Sequence, residues 1–261
     1  MNIVGVIPAR YASTRLPGKP LADICGKPMI QHCYESAGKS KFLNKIVVAT
    51  DHQKVFDTVS GFGGKAIMTG KNIQTGSDRI AAALKKLPGV DIVVNIQGDE
   101  PFIPGFMIDQ AIEPLLFDST VMVSTLAKRI VKKEELLNPS VVKVVFDMEN
   151  NALYFSRSPI PFMRDSEDID SAIKSFTFLK HIGLYVYRVE ALFKFTSLDA
   201  GILENVEKLE QLRMLENGIK IKVVETNLES ISVDTANDLE IAKKYYLKEL
   251  KKGKDAKLSA K

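Results

Sequence analysis

Short apolar runs alternate with helical patterns through the first half of the chain, and this alternation limits the fold more than any other feature of the sequence. The runs predict strands, and the segments between them have the spacing of amphipathic helices. Strands and helices that alternate in this way form βαβ units around a mostly parallel sheet. The predicted strands are 3–8, 45–50, 65–69, 91–97 and 121–127, and the predicted helices are 28–39, 52–60, 77–87 and 105–117.

The second half of the sequence predicts a different arrangement. Two strand-like runs, 141–147 and 152–155, flank a turn-forming Met-Glu-Asn-Asn segment and predict a hairpin. Residues 165–175 are acidic and polar, which indicates a mobile loop. The remaining predicted elements are a strand at 181–187, helices at 189–196 and 203–217, a strand at 220–225 and a last helix from Thr235 to Lys251.

The composition is that of a soluble globular protein. The chain has 261 residues, 45% apolar and 26% charged, which is enough to bury a large core. No apolar run approaches the roughly 18 residues of a membrane span, and the start lacks the pattern of a signal peptide, so we expect a cytoplasmic protein. Cys25 and Cys33 form no CxxC pair, which predicts free thiols instead of a zinc site.

The net charge of +4 comes from one end of the chain. Residues 243–261 contain eight lysines and two acids, a net charge of +6, which leaves −2 for the preceding residues. A basic terminal run of this kind is usually a solvated, frayed helix end. Because few aromatic side chains accompany the lysines, we expect no nucleic-acid partner.

The segment after the first predicted strand has the composition of a phosphate-binding loop. It begins at Pro8 and carries three cations, Arg10, Arg15 and Lys19. Arginine offers phosphate oxygens a planar fork and lysine a compact charge, and ligands of open α/β sheets lie beyond the carboxyl ends of the strands. The segment matches neither a Walker loop nor the GxGxxG fingerprint of a nicotinamide dehydrogenase. The alternative is a basic surface loop without a ligand.

Two aspartates follow predicted strands and are candidate metal ligands. Asp99 lies at the same predicted sheet edge as the cationic loop, and magnesium commonly takes one or two carboxylates together with substrate phosphates. Turn chemistry is the alternative for this residue. Asp234 precedes Thr235, which we predict to cap the last helix with Asp238 in a capping box. Asp234 is a ligand only if the fold brings it beside Asp99.

Three further segments carry side chains that suit a ligand. Residues 74–79 form a turn into a helix whose first amides suit a base or a phosphate, although Ser77 also suits a helix cap. Arg157 and the pair Lys180 and His181 are interpreted as cations that emerge from strands, either to bind an acidic sugar or as edge-strand charges. The pair 210–211, Glu and Gln, lies beside the core face of the predicted helix at 203–217.

These segments together closely resemble the 3-deoxy-manno-octulosonate (Kdo) cytidylyltransferases, also called CMP-Kdo synthetases. They follow the family's order from residue 3 to about residue 243. The family often has Ser-Gly-Thr-Glu-Arg where this chain has residues 75–79, and proline where it has Ala236. The matching segments are 7–21, 49–51, 74–79, 95–101, 142–145, 152–157, 181–185, 209–213 and 233–235.

The resemblance implies a glycosyltransferase-A-like, Rossmann-like α/β fold and the reaction CTP + Kdo = CMP-Kdo + diphosphate, with Mg²⁺. It places that reaction in lipopolysaccharide biosynthesis. It also implies a homodimer, formed through a smaller inserted lobe at roughly 140–190. We therefore expect one nucleotidyltransferase domain over 1–247 and a basic tail over 248–261.

The resemblance also implies roles for single residues. Lys19, Arg15 and Asp99 are the expected catalytic residues, with Lys19 at the reacting α-phosphate. The expected magnesium ligands are Asp99 and Asp234. The expected nucleotide-binding residues are Ala9, Arg10, Arg15, Lys19, Gln74, Ser77 and Gln97, and the expected sugar-binding residues are Arg157, His181, Glu210 and Gln211.

Several alternatives stay open from the sequence. The same chemistry on an 8-amino Kdo analogue cannot be separated from the reaction on Kdo. A cytidylyltransferase for sialic acid or methylerythritol phosphate is disfavoured by His181 and by the pair 210–211. A non-catalytic CTP-binding scaffold is disfavoured because Lys19, Asp99 and Asp234 are all present.

Overall fold

The computed structural model describes residues 1–13 and 15–258, with the backbone alone from residue 252 onward. Thr14 of the predicted loop and residues 259–261 of the predicted tail lie outside the described residues. The chain divides into two compact units. The first unit comprises residues 4–88, 95–105 and those from 229 onward, and the second comprises residues 1–3, 89–94 and 106–228.

The first unit is built on three parallel strands. Strand β1 pairs with β4, where Val6 is opposite Val47, and β4 pairs with β5, where Val48 is opposite Ala66. The elements are β1 Ile3–Ala9, a 3₁₀ turn Lys19–Leu21, β2 Asp23–Ile24, β3 Lys27–Pro28, α1 Met29–Ala37, β4 Lys45–Thr50, α2 Gln53–Gly61, β5 Ala66–Met68, α3 Gly76–Leu84 and the last helix α10 Ala236–Leu258.

The second unit contains a mixed set of strands. Strands β7 and β11 are parallel, β10 runs antiparallel to β7, and β8 and β9 form the predicted hairpin. The elements are β6 Ile92–Asn95, α4 Gly105–Phe117, β7 Val123–Arg129, α5 Lys133–Leu137, β8 Lys143–Phe146, β9 Ala152–Ser156, α6 Ile169–Ser175, β10 Leu179–Arg188, α7 Val189–Thr196, α8 Ile202–Glu207, α9 Leu212–Glu216 and β11 Lys222–Glu225.

The predicted α/β class is confirmed, and burial explains why β1 was recognisable. Val4, Val6 and Ile7 expose at most 1% of their surface. A parallel strand that is covered on both faces has a continuous apolar sequence, because neither face is exposed to solvent and needs polar side chains. Since the chain leaves this strand at Pro8 and Ala9, the cationic loop begins at the carboxyl end of the strand.

The single helix predicted at 203–217 is wrong. The chain forms α8 and α9, separated at Lys208, whose φ of 54° is left-handed and ends α8. Arg213 binds both carboxylate oxygens of Glu204, with Nε–Oε2 and Nη2–Oε1 distances of 2.7 and 2.6 Å. In a continuous helix these residues would be roughly 13 Å apart along the axis, so this ion pair forms only because the helix breaks.

The loop predicted at 165–175 is also wrong, because its second half forms α6. Asp168 caps this helix by accepting a hydrogen bond from Ser171 N at 2.7 Å. Ala172 packs in a small apolar cluster with Ile130, Leu136 and Phe178. This segment is mostly polar, but Ile169, Ala172 and Ile173 form an apolar face of the helix. Residues distant in sequence pack against that face.

The last helix begins one residue after the predicted start and extends beyond the predicted end at Lys251 to Leu258. Its start has the predicted capping box. Thr235 Oγ1 accepts from Asp238 N at 3.2 Å, and Asp238 Oδ2 accepts from Thr235 N at 2.9 Å. Among the described residues, no helix is both long enough and apolar enough to cross a membrane.

Candidate active site

Lys19 joins the two predicted metal ligands in the first unit. Its Nζ lies 2.9 Å from Asp99 Oδ2 and 2.8 Å from Asp234 Oδ1. The fold therefore brings Asp234 beside Asp99, which the spacing in sequence could not show. The Lys19 side chain is 14% exposed, so the ammonium is largely withdrawn from water.

The charge state of Lys19 follows from its surroundings. Burial alone would lower the pKa of this ammonium, but the charge of Asp99 and the hydrogen bonds that Lys19 donates to both carboxylates outweigh burial and raise the pKa above its usual value. Lys19 is thus a fixed positive charge at neutral pH. It is available to neutralise a phosphate and is unsuited to remove a proton.

A cavity of about 500 Å³ opens around these three residues. Most of the predicted nucleotide-binding and metal-binding side chains line it. Its wall includes Ala9, Arg10, Arg15, Lys19, Gln97, Asp99 and Asp234, but among the described residues Gln74 and Ser77 are not part of that wall. Four cations, the three of the loop and Arg79, therefore share one concave surface with two carboxylates, which suits a phosphate chain together with a divalent cation.

Main-chain contacts fix the segments that carry the two carboxylates. Val233 N donates to Asp99 O at 2.8 Å. The residue before Asp234 is therefore hydrogen-bonded to the main chain of Asp99. Gly98 lies against β1, where a Cβ would come within 2.7 Å of Pro8 O. Any side chain at Gly98 would push Asp99 away from the cationic loop.

The two remaining cations of the loop have different partners. Arg15 Nη2 lies 3.1 Å from Asp234 Oδ1, and this pair is largely exposed, with the Arg15 side chain 66% accessible. Arg10 Nη1 donates to Gln74 O at 2.9 Å and so joins the cationic loop to the segment before α3. An exposed pair of this kind adds little stability, so Arg15 remains available to a ligand.

The segment 74–79 forms the predicted turn into a helix, but its cap is not Ser77. Thr75 is the N-cap of α3, because its Oγ1 accepts from Asp78 N at 3.0 Å. Ser77 is buried inside the first turn of the helix. The alternative role of Ser77 as a helix cap is therefore wrong, and its expected role at the base stays a prediction.

Sequence reasoning assigned no role to Arg79 and Asp51, although the structure buries them as an ion pair beside the cavity. Arg79 Nη2 lies 3.2 Å from Asp51 Oδ2, and the Arg79 side chain has no exposed surface. Both residues occur in segments that resemble the family, but they are 28 residues apart in sequence. The one signal in the sequence is the presence of an arginine at the end of the 74–79 segment.

Glu100 is a second titratable residue without an assigned role. Its Oε2 atom is buried and has no hydrogen-bond partner in the described chain. Burial, followed by the charge of Asp99, raises the pKa of Glu100 to about 7. This carboxyl therefore carries a proton for part of the time at neutral pH.

The four predicted sugar-binding residues all lie in the second unit. Arg157 is held by main-chain carbonyls, since its Nε donates to Glu207 O at 2.7 Å and its Nη1 to Pro139 O at 2.9 Å. Gln211 is 7% exposed and precedes α9. Because the predicted helix is broken, Glu210 and Gln211 lie in the turn after α8 and not along a helix.

His181 is not the cation that the sequence suggested. Burial lowers the pKa of His181 to about 3, so the ring is neutral at neutral pH. Its Nε2 is 2.9 Å from Thr125 Oγ1, and the ring lies edge-on to Phe155 at 5.0 Å. A neutral imidazole can hydrogen-bond a hydroxyl, but it cannot pair electrostatically with a sugar carboxylate.

A second cavity, of about 590 Å³, lies in the second unit. It contains none of the predicted site residues, and its three lysines are balanced by three acids: Lys194, Lys220 and Lys222 with Asp118, Glu149 and Glu190. The slightly smaller cavity around Lys19 is the better candidate for the active site. Of the two cavities, it is the one with more cations than acids in its wall and with two carboxylates that converge on one point.

The two aspartates fit a magnesium ion. Two carboxylate oxygens approach the same ammonium within 2.9 Å, so they already converge on one cationic centre. The part of the chain that the structure describes contains no group of three or more His, Cys, Asp or Glu side chains suited to a metal. Magnesium does not need such a group, because it keeps several waters and takes phosphate oxygens from its substrate.

Comparisons with known proteins identify relatives of the whole chain. A family model described as cytidylyltransferase matches residues 4–221. A 3-deoxy-manno-octulosonate cytidylyltransferase of Geobacter sulfurreducens is 52% identical over 244 residues, which cover 92% of this chain and 97% of that relative.

Two solved structures show how far the fold likeness extends. CMP:2-keto-3-deoxy-manno-octonic acid synthetase complexed with CTP has a TM-score of 0.89 at 41% identity, covering 95% of this chain and all of the other. A 4-diphosphocytidyl-2C-methyl-D-erythritol synthase from Anaerococcus prevotii has a TM-score of 0.62 at 14% identity, with coverages of 94% and 98%. At that identity the second likeness concerns the fold alone.

Proposed function

This chain belongs to the 3-deoxy-manno-octulosonate cytidylyltransferase family, and we propose on that premise that it joins CTP to Kdo and releases pyrophosphate. One observation carries the proposal beyond family membership. Lys19 bridges Asp99 and Asp234 inside a cavity that also contains Arg10 and Arg15. Nucleotidyl transfer needs this combination, because charge accumulates on a triphosphate that must also bind a metal.

The proposed reaction is one in-line displacement. The anomeric hydroxyl oxygen of Kdo forms a bond to the α-phosphorus of CTP, and the bond from that phosphorus to the bridging oxygen of the β-phosphate breaks. The hydroxyl proton passes to water, and pyrophosphate leaves with the bonding electrons. No side chain is assigned as a general base, since positioning and charge neutralisation supply most of the rate enhancement in this scheme.

The residues of the cationic loop hold the triphosphate in this scheme. Arg10 and Arg15 offer guanidinium forks to phosphate oxygens, and Lys19 neutralises charge at the α-phosphate. The cytosine lies against Ala9, Gln74 and Ser77. Gln97, which precedes the carboxylate segment, lines the same cavity and completes the nucleotide set.

Asp99 and Asp234 would hold the magnesium ion in the proposed enzyme. When bound, magnesium withdraws charge from phosphoryl oxygens and lowers the pKa of a bound hydroxyl. The two carboxylates have a further task, because they orient Lys19 through the hydrogen bonds described above. The same pair would therefore hold the metal and does orient Lys19.

We assign Kdo to Arg157, His181, Glu210 and Gln211. The neutral state of His181 supports a contact with a sugar hydroxyl. Arg157 is the cation of the group and thus the partner for the sugar carboxylate. We place the reaction in the cytoplasm, where its nucleotide substrate is made.

The test is pyrophosphate release from CTP, Kdo and Mg²⁺ by the purified protein, with controls that lack Kdo or contain sialic acid. We expect release only when Kdo is present. A parallel reaction with the 8-amino analogue of Kdo measures whether the enzyme distinguishes that analogue from Kdo. Bound CTP without pyrophosphate release in any arm would contradict the proposed reaction and favour a non-catalytic scaffold.

We also propose that the protein is a homodimer formed through the lobe at roughly 140–190. Two large apolar side chains of this lobe face solvent in the single chain, Phe162 with 88% and Leu153 with 61% of their surface exposed. Covering these side chains with a partner would remove their apolar area from water, which favours association. A second copy of the chain is the partner that the family resemblance implies.

Sedimentation velocity tests the dimer. We expect wild-type protein to sediment as a dimer and the double variant Phe162→Asp, Leu153→Asp as a folded monomer. Phe117→Asp is the matched control, because Phe117 is 84% exposed and lies outside the lobe. A monomeric wild type, or a dimer that survives the double substitution, would contradict the proposal.

A further inference from the structure

We infer that Arg79 and Asp51 form a positioning pair that sets the cytosine-binding segment against the phosphate-binding loop. The inference rests on the proposed CTP site and adds two residues to it. Neither residue is assigned to contact the phosphates. Both act by holding the main chain of residues that do contact the nucleotide, and all of these residues belong to the first unit.

Arg79 fixes the segment that precedes α3. Its Nη2 donates to Ile73 O at 3.1 Å, and its Nη1 donates to Thr69 Oγ1 at 2.6 Å and approaches Gly70 O at 3.4 Å. One guanidinium therefore binds three points between the end of β5 and Gln74. The planar fork of arginine can reach several acceptors at once, which a lysine ammonium at the same place cannot do.

Asp51 connects this segment to the cationic loop. Its Oδ2 accepts from Arg79 Nη2 at 3.2 Å, while its Oδ1 accepts from Tyr11 N at 3.3 Å. The Tyr11 ring stacks on His52 with centroids 3.9 Å apart. One carboxylate thus holds the start of the phosphate-binding loop and, through Arg79, the main chain beside Gln74.

Burial makes this connection rigid. The Arg79 side chain has no exposed surface and that of Asp51 is 12% exposed, so water does not compete for these bonds. Burial lowers the pKa of Arg79, and the charge of Asp51 acts in the opposite direction. Removing either partner leaves the other as a poorly compensated buried charge.

The free Nε atom of Arg79 supports a role in the site. This buried atom has no hydrogen-bond partner in the described chain, and Arg79 is part of the cavity wall. A guanidinium that served packing alone would be expected to satisfy all its donors. The geometry leaves one buried donor of Arg79 unused, in a residue that lines the nucleotide cavity.

Two partial analogues of CTP test this inference, because each presents a different part of the nucleotide. CMP presents the base with one phosphate, whereas tripolyphosphate presents phosphates without a base. Arg79→Lys loosens the segment next to the base, so its Kd for CMP should rise about tenfold, the scale of losing a hydrogen bond from a charged group. Its Kd for tripolyphosphate should remain within about twofold of wild type. Isothermal titration measures both constants without needing Kdo.

Asp51→Asn is the second variant, in case Arg79→Lys folds poorly. The asparagine side chain has one carbonyl oxygen for two donors, so one of the two connections is lost while the shape is kept. We expect a similar rise in the Kd for CTP and an unchanged KM for Kdo. Because the two residues act as one unit, the double variant should lose little more than the weaker-binding single variant.

Arg188→Lys is the matched control. Arg188 also uses its guanidinium to hold main-chain carbonyls, with Nε–Val121 O and Nη2–Leu115 O distances of 3.0 and 2.8 Å, but it lies in the second unit. This variant also loosens main-chain contacts, but it should retain wild-type affinity for CMP. A merely structural role for Arg79 predicts that CMP binding falls with thermal stability in both variants.

Three results would overturn the inference. They are unchanged CMP binding by folded Arg79→Lys, an equal loss of CMP and tripolyphosphate binding, and a loss of CMP binding in Arg188→Lys as large as in Arg79→Lys. Failure of the wild-type protein to bind CTP would overturn the proposed function as well. Normal wild-type binding with an unaltered Arg79→Lys variant would overturn the positioning pair alone.

Discussion

Replacing Asp99 by asparagine is expected to reduce kcat by roughly 10²-fold or more, the scale of losing one preorganised electrostatic partner. The substitution keeps the shape of the side chain but removes one of the two negative charges proposed for magnesium. It also removes the charge on the Oδ2 atom that holds Lys19 Nζ at 2.9 Å. The measurement is the steady-state rate of pyrophosphate release at saturating CTP, Kdo and Mg²⁺.

Asp57→Asn is a suitable control for that experiment. Asp57 is an exposed residue of α2 in the same unit, and the same chemical change there should leave kcat within about twofold of wild type, as expected for a surface substitution. Near-normal turnover of Asp99→Asn at saturating magnesium would show that Asp99 is not a metal ligand.

Lys19→Ala is expected to lower kcat, also by roughly 10²-fold or more, and to lower kcat more than it raises the KM for CTP. The reason is that the negative charge at the α-phosphate grows as the new bond forms, so the ammonium is worth more in the transition state than in the bound substrate. Full kinetics with varied CTP separate the two effects. A change in KM alone would identify Lys19 as a binding residue only.

The same variant should affect the free protein, because Lys19 compensates two carboxylates in the absence of ligand. Without the ammonium, Asp99 and Asp234 are left without their shared cation, and the melting temperature should fall in magnesium-free buffer. Lys27→Ala is the control, since Lys27 pairs with Glu35 at 2.7 Å on the surface. Its melting temperature should hardly change, because exposed pairs contribute little.

The candidate site could be anticipated from sequence where it depends on strand ends. The carboxyl ends of parallel strands lie at one edge of the sheet, so the sequence predicts that the loop after β1 lies close to Asp99. Lys19 of that loop does contact Asp99. The position of Asp234 could not be derived in this way. It depends on how the last helix docks, which no local pattern encodes.

The broken helix shows why periodicity misled. Apolar residues at 203, 206, 209, 212 and 215 keep helical spacing through the break. The left-handed Lys208 carries no glycine or proline signal, and the ion pair between Glu204 and Arg213 that accompanies the break is not visible in the spacing. Tertiary contacts decided this segment against its local pattern.

The pair of Arg79 and Asp51 illustrates a different gap. Each residue occurs in a recognisable segment, but their contact joins the end of β4 to α3 across an intervening helix and strand. A sequence reports which residue types are present and their spacing along the chain. It does not report which buried donor shares which acceptor.

The bond between Lys19 and Asp234 spans 215 residues, and this separation has a consequence for synthesis. During translation the amino-terminal strands and the phosphate-binding loop emerge first and can begin to fold. Asp234 emerges only after the whole of the second unit. No nascent chain that stops short of it has both carboxylates, so the ribosome delivers nearly all of the protein before the proposed metal site can exist.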